Sequence, residues 1–289
     1  MTEKKPLSFC LIGFPLGHSL SPMLHKALFS LSGVDARYAL RELAPEQFDA
    51  EADQLRSYTG FNITIPHKRR ILPFLKQIEP RALRCGAVNT VKCQNGDFYG
   101  YNTDAEGFIR ALDSAGIPLQ GRVLLCGAGG AARMMACEAL ERGCGLVIAT
   151  REISGAEAAK NDLFGLFPGA SIETATLSGV DGPFDLILNA TPAGMFPHID
   201  GCPVAERVVA QAAAVYDAVY NPEQTVLVRT ALANGAKASG GLDMLIGQAV
   251  AAQEIWTGAR FAPDSLRVLH EELAAHLTAQ SAGKTGGQV

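Results

Sequence analysis

The chain has 289 residues, 48% apolar and 19% charged, with 25 basic against 29 acidic side chains for a formal net charge of -4. That length suits two domains with full cores, the composition is that of a compact globular protein, and the slight acidity argues against a nucleic-acid partner. No apolar run approaches the roughly 18 residues of a membrane-spanning helix, and the charged stretch 1–8, followed by only a short apolar segment, does not fit a secretory leader.

In chain order, residues 9–13 predict an apolar strand, followed by a loop rich in glycine and proline. Ser21-Pro22 predicts a helix start, with serine at the N-cap and proline at N1. Leu24, Ala27, Leu28 and Leu31 form the apolar stripe of that helix. A strand over 38–43, a helix over 45–55 and a strand over 61–65 follow, an alternation that predicts a mostly parallel sheet. Within the last strand Asn62-Ile63-Thr64-Ile65 alternates polar and apolar residues, and Pro66 ends it for want of an N–H. His67-Lys68-Arg69-Arg70 then opens a predicted helix carrying Ile71, Leu72, Phe74 and Leu75. Positive charge in a first helical turn opposes the macrodipole. Such a local conflict marks either a functional site or a run of solvated surface charges, and the residues alone leave both open. Residues 87–93 and 98–99 read as a hairpin around Asn95-Gly96. Gly100-Tyr101-Asn102-Thr103-Asp104 leads into a helix with Phe108, Ile109 and Leu112, and a domain boundary is expected nearby.

Residues 123–126 form a short, wholly apolar strand that runs into Gly127-Ala128-Gly129-Gly130-Ala131-Ala132. A helix through Met134, Met135, Cys137 and Leu140 and a strand over 146–149 complete a β-α-β unit of about thirty residues with G-x-G-x-x-A at its turn. In that setting the first glycine makes the turn, the second admits a pyrophosphate, and the helix N-terminus offers N–H groups and partial positive charge. Strands over 184–189, 214–219 and 236–238, with a helix over 226–232, complete a doubly wound domain. A long helix opens at Gly241-Leu242-Asp243-Met244, and an amphipathic one spans 263–277. Residues 279–289 read as a disordered tail. The Gly283-Lys284-Thr285 within it is no P-loop, because that motif's first glycine would fall on Thr278.

The second strand of the dinucleotide unit ends in Thr150-Arg151-Glu152. An acid at this point reads the ribose hydroxyls of NAD, and an arginine reads the 2′-phosphate of NADP. Arg151 favours NADP, Glu152 keeps NAD possible, and a surface ion pair is the plainer use of Arg151. The seven cysteines include no C-x-x-C pair, and several lie in apolar runs, so they read as reduced thiols of a cytoplasmic protein. The six histidines show no metal-ligand spacing, and no metal is expected. With no G-x-S-x-G elbow, hydrolase chemistry lacks a nucleophile motif.

Ser19, Ser21, Asn62, Thr64, Lys68, Asn89, Asn102 and Asp104 fall at predicted strand ends and strand–helix turns, where open α/β sheets bind ligands. Each has a plainer use: Ser21 as a cap, Asp104 as a first-turn acid, Asn62 and Asn89 as partners of nearby backbone. As a set they suit a small polyhydroxylated acid.

Ser19-Leu20-Ser21-Pro22, Asn62-Ile63-Thr64-Ile65-Pro66-His67-Lys68, Gly86-Ala87-Val88-Asn89-Thr90, Asn102-Thr103-Asp104, Gly127-Ala128-Gly129-Gly130-Ala131, Asn189-Ala190-Thr191-Pro192-Ala193-Gly194-Met195 and Gly241-Leu242-Asp243-Met244-Leu245 stand in this order. In this the chain resembles the shikimate dehydrogenases, from about residue 9 to 277. The resemblance implies an α/β fold with a substrate domain over 1–104, completed by helices within 243–278, a Rossmann domain over 105–242, and an active-site cleft between them. It implies reversible, NADPH-dependent reduction of 3-dehydroshikimate to shikimate, on the route to chorismate and the aromatic amino acids. Ser19 and Ser21 would bind the substrate carboxylate with Thr64 and Tyr220. Lys68, Asn89, Asp104 and Gln248 would bind ring hydroxyls, with Lys68 and Asp104 as the acid/base pair. Gly127, Ala128, Gly129, Gly130, Ala131, Thr150, Arg151, Thr191, Val219, Gly241 and Met244 would bind the cofactor. The expected partner is a small-molecule substrate, with monomer and homodimer both open. Family members that use NADP usually carry Asn-Arg-Thr where this chain has Thr150-Arg151-Glu152. An NAD-using quinate/shikimate dehydrogenase is therefore an alternative, and a non-catalytic NADP-binding regulator is a more distant one. His67 is given no catalytic role, and Arg69 and Arg70 are expected to be solvated charges.

Overall fold

The computed structural model describes residues 6–17 and 19–285, with side chains through 279. The chain divides into two units, Met1–Glu106 with Ile246–Leu269, and Gly107–Leu245 with His270–Val289.

In the first unit, β1 (Leu7–Gly13), α1 (Ser21–Ser32), β2 (Ala36–Glu42), α2 (Phe48–Glu51) and β3 (Gly60–Ile63) follow one another. The expected helix over 45–55 is α2 with a 3₁₀ turn on either side, Pro45–Gln47 and Ala52–Ser57. Then come β4 (Gln77–Ile78), α3 (Pro80–Cys85), β5 (Thr90–Gln94), β6 (Asp97–Tyr101) and α4 (Thr103–Ser114), whose start belongs to this unit. The sheet runs β2-β1-β3-β5-β6-β4. It is parallel around β1 and antiparallel from β3 through the β5–β6 hairpin. Asn95 and Gly96 make that hairpin's turn with φ of 54° and 79°, the left-handed conformation a two-residue type I′ connection requires.

Three local expectations change. No α-helix follows Pro66; residues 65–71 are turns that end in a 3₁₀ turn, Leu72–Phe74. Pro73 lies where a helix begun at His67 would need an N–H, so the segment cannot propagate, and the dipole conflict does not arise. Ser21 is not a side-chain cap: Leu20 holds the cap position of α1, and the Ser21 N–H donates to Ser19 Oγ at 3.2 Å. The buried stripe of α1 is Leu24, His25, Leu28 and Phe29, while Leu31 is exposed.

One face of the first sheet packs Cys10, Ile12, Phe61, Ile63, Val91 and Phe98 against Phe48, Leu55 and Ile71. On a second cluster, Phe9 stacks on Trp256 of α9 (Leu242–Thr257) at 4.6 Å between ring centroids. Trp256 Nε1 donates to the Val91 carbonyl at 2.9 Å, which meets the one polar atom of a buried indole. A Cβ on Gly60 would come within 2.5 Å of that nitrogen, so the close approach requires glycine.

In the second unit, β7 (Arg122–Cys126), α5 (Gly130–Glu141), β8 (Gly145–Thr150), α6 (Ile153–Phe164) and β9 (Ile172–Thr176) build one half. The other half is β10 (Leu186–Asn189), α7 (Glu206–Val209), β11 (Ala214–Asp217), α8 (Val226–Ala233) and β12 (Lys237–Ser239). The sheet order is β12-β11-β10-β7-β8-β9 with every pair parallel. This is the doubly wound dinucleotide order, with its switch point between β7 and β10. Parallel strands covered on both faces read as unbroken apolar runs, and Val123, Leu124, Leu125 and Cys126 are all buried.

The expected helical block 243–278 is shared between the units: α9 passes from the second to the first after Leu245, and α10 (Pro263–Thr285) passes back after Leu269. Helix α10 continues to Thr285, so the tail expected from 279 is helical in its first part, and residues 286–289 lie outside the described residues. No helix among the described residues is long and apolar enough to cross a membrane.

Candidate active site

In the first unit, the turn after β3 and the first turn of α4 bring Lys68 and Asp104 together, Nζ to Oδ2 at 2.5 Å. Both side chains are partly shielded, 29% and 21% exposed. Around Lys68 the backbone is held on two sides: the His67 N–H donates to the Thr64 carbonyl, and the Lys68 carbonyl accepts from the Val88 N–H at 2.9 Å. His67 is fully buried, with Nε2 donating to the Leu43 carbonyl at 2.7 Å and its ring stacked on Phe48. It anchors the turn, unlike the rest of the basic run. Arg69 is exposed, and Arg70 makes a two-point ion pair with Asp49 at 2.9 and 2.8 Å on the surface.

Asn89 is buried just before β5, and its Oδ1 accepts from the Thr103 N–H at 2.7 Å and the Thr103 hydroxyl at 3.2 Å. An amide whose oxygen is taken twice has only its NH₂ to offer a ligand. Thr103, which the sequence reading passed over, thus fixes Asn89 from the residue beside Asp104. Asn62 and Asn102 take the plainer use. Asn62 accepts from the Tyr38 hydroxyl and donates to Thr90 Oγ1 at 2.8 Å, and Asn102 accepts from the Ala105 N–H at the start of α4. Ser19, Ser21, Thr64 and Gln248 belong to this unit, and Tyr220 to the other. Within the expected substrate set, Lys68 and Asp104 are joined through their side chains, and Ser19 Oγ accepts from the Ser21 N–H.

In the second unit a cavity of about 570 Å³ opens at the C-terminal ends of the strands. Gly127, Ala128, Gly129, Thr150, Arg151 and Thr191 line it, as do Leu177 and 190–193, of which only Thr191 was expected. Gly127 has φ of 109°, and a Cβ there would stand 3.1 Å from the Ala190 carbonyl oxygen. A Cβ on Gly129 or Gly130 would meet nothing within 4 Å, and α5 begins at Gly130 with no side-chain cap. The start of a twelve-residue helix thus has no side-chain cap for its N–H groups and open space beside its glycines, and exposed Ala131 adds no bulk. Arg151 is exposed on the cavity, with no ion pair to any described residue. The Glu152 carbonyl accepts from the Thr150 hydroxyl at 2.5 Å, and Glu152 holds the cap position of α6 outside the cavity lining. An open glycine turn, an uncapped helix start and an unpaired guanidinium fit a dinucleotide carrying a 2′-phosphate.

Val219, Gly241 and Met244 lie outside the cavity lining, at the end of β11 and the start of α9. The Gly241 N–H donates to the Val219 carbonyl at 3.0 Å, and a Cβ on Gly241 would stand 2.2 Å from the Ala218 carbonyl oxygen. His270 bridges the same region, with Nδ1 at 2.7 Å from Asp243 and Nε2 at 2.9 Å from Glu223. Its hydrogen bond to Asp243, against partial burial and with help from Glu223, raises the imidazole pKa to about 9. Behind the cavity, Asn189, Asp217 and Thr225 form a buried polar group. Its signal in the sequence was a lone acid closing a buried strand.

Residues 11–91 match the family model described as the shikimate dehydrogenase substrate binding domain. The shikimate dehydrogenase (NADP(+)) of Moorella thermoacetica is 37% identical over 289 residues, covering 95% of this chain and 96% of its own length. The shikimate 5-dehydrogenase of Thermus thermophilus, solved in complex with NADP(H) and shikimate, is 32% identical with a TM-score of 0.79, covering 94% of this chain and 99% of that one. The ligand-free 5-ketofructose reductase of a Gluconobacter species is 29% identical with a TM-score of 0.82, covering 93% of this chain and 99% of its own. With a doubly wound unit that carries the glycine turn and a first unit that carries the Lys68–Asp104 pair, the chain belongs to the shikimate dehydrogenase family.

Proposed function

We propose that this protein catalyses the reversible, NADPH-dependent reduction of 3-dehydroshikimate to shikimate, on the route to the aromatic amino acids. The observation that carries the reading is the 2.5 Å approach of Lys68 Nζ to Asp104 Oδ2, within the unit that matches the substrate-binding model. NADPH, when bound, would supply the hydride for the ketone carbon. Lys68 Nζ holds the proton that the developing alkoxide takes, and Asp104 keeps the ammonium aimed and accepts a ring hydroxyl. Asn89 donates its NH₂ to a ring hydroxyl, because Thr103 occupies its oxygen. Gln248 binds a further hydroxyl. Ser19, Ser21, Thr64 and Tyr220 meet the carboxylate with hydroxyl donors, which leaves Lys68 the cation nearest the ketone.

In the second unit, Gly127, Ala128, Gly129, Gly130 and Ala131 present backbone N–H groups to the pyrophosphate. Arg151 reads the 2′-phosphate, with Thr150 beside it. Thr191, Val219, Gly241 and Met244 shape the rest of the cofactor's seat. Seven free thiols suit a reducing cytoplasm.

Initial rates of oxidation test the reading, with shikimate and quinate each paired with NADP and NAD. The highest kcat/KM is expected for shikimate with NADP. A higher value with NAD would overturn the cofactor assignment, a higher value with quinate the substrate assignment, and no activity in any pairing the enzyme itself.

A further inference from the structure

Asp217 closes β11 and Asn189 closes β10, opposite each other in the parallel register and both fully buried. Asp217 Oδ1 accepts from Asn189 Nδ2 at 2.8 Å and from the Val219 N–H at 3.0 Å, while Oδ2 accepts from the Thr225 hydroxyl at 2.6 Å. Asn189 turns its own oxygen the other way, accepting from the Thr191 N–H at 3.0 Å and the Thr191 hydroxyl at 2.7 Å. These bonds leave the amide one orientation, with NH₂ toward the carboxylate and oxygen toward Thr191. Thr191 lines the dinucleotide cavity, and its methyl carbon stands 3.2 Å from where a Cβ on Gly127 would lie. Val219, held by the same carboxylate, offers its carbonyl to the Gly241 N–H.

An acid here is an expensive choice if packing were all that the site needed. Apolar residues of the second core, among them Cys126, Val215 and Leu227, surround this end of the sheet. Burial pushes the Asp217 carboxyl up to about 6, against the pull of its three hydrogen bonds. Cys126, Cys202 and Tyr216 feel its charge, and none of these three is a cation. A buried polar group of this kind rigidifies what it touches only when every member is satisfied, and the three donors satisfy this one.

We propose that Asp217 is a positioning residue for the cofactor: through Asn189 it sets Thr191 against the dinucleotide cavity, and through the Val219 N–H it sets the loop that meets Gly241. This rests on the cavity being the NADP site. It also separates shape from charge. Asparagine at 217 keeps an oxygen for Asn189 and Val219 and turns an NH₂ to Thr225 Oγ1, which has a lone pair to receive it. Alanine keeps neither.

The test is the Kd of NADP, measured by calorimetry on the full chain without substrate, together with kcat at saturating cofactor and shikimate. For Asp217→Ala, Kd is expected to rise roughly tenfold, the worth of one lost buried hydrogen-bond link, while kcat stays within about threefold. For Asp217→Asn, Kd is expected within about twofold of wild type. Wild-type affinity in Asp217→Ala would overturn the inference, as would an equal loss in both variants. Should Asp217→Ala not fold, Asn189→Ser removes the amide that joins Asp217 to Thr191, leaves Val219 and Thr225 on the carboxylate, and is expected to show the same rise; an unchanged Kd there would also overturn it. A wild-type protein that binds no NADP would instead refute the function on which the inference rests.

Discussion

The turn after β3 and the turn after β7 both leave a parallel strand at its C-terminal end, yet they are built from opposite materials. Residues 127–131 form a site by lacking side chains: Gly129 and Gly130 face open space, and the helix start behind them offers only backbone. Residues 64–71 form a site by what their side chains do. His67 is buried as an anchor, Arg70 pairs with Asp49 at the surface, and Lys68 reaches Asp104 thirty-six positions away in the chain. A backbone cradle tolerates many ligands of one charge pattern, whereas a side-chain pair serves one reaction. Under the proposed function the difference assigns affinity to the second unit and chemistry to the first, and substitutions are expected to pull the two apart.

The largest effect is expected at Lys68. Lys68→Ala should lower kcat by roughly 10²–10⁴-fold, the usual worth of a general acid, as measured by initial rates at saturating shikimate and NADP. On the structural side, Trp256→Ala should destabilise the protein by about 3–5 kcal/mol in denaturant unfolding, since it empties a stacked core site and removes the indole's bond to the Val91 carbonyl. Arg151→Ala should raise the Kd of NADP by about tenfold and leave that of NAD nearly unchanged, because only the 2′-phosphate is lost as a partner. An equal loss with both would mean that the guanidinium does not read the phosphate.

The smallest effect is expected at His270. Its folded-state pKa of about 9 lies above the ordinary value, so the ion pairs with Asp243 and Glu223 contribute fully below about pH 6.5 and fade as pH rises through 9. Unfolding of His270→Ala should therefore differ from wild type at pH 6 and converge on it by pH 10. A constant difference across that range would show that packing alone is at stake.

What the sequence made legible follows the same division. The doubly wound half could be read from spacing, because apolar strands and a glycine turn carry their pattern locally. The Lys68–Asp104 pair could not be read from spacing: its members come from separate segments, and only the resemblance joined them. The predicted helix after Pro66 failed because charge and apolar spacing suggested it while Pro73 forbids it. β4 escaped notice because two residues carry no period; backbone bonds from Lys76 to Phe98 and from Glu79 to Gly100 hold it in place. β9 is an edge strand with one fully buried side chain, Ile172, and α7 is four residues long, so neither shows an apolar repeat. Asn62 and Asn102 illustrate the converse, since they look like ligands in the sequence and are structural in the fold.

The division of labour is tested most directly by titrating NADP into Lys68→Ala in the absence of substrate, alongside its turnover. The account predicts a Kd within about twofold of wild type in a protein whose kcat has collapsed, since the lysine serves the transition state and not the cofactor's ground state. A loss of NADP affinity as large as the loss of turnover would contradict it.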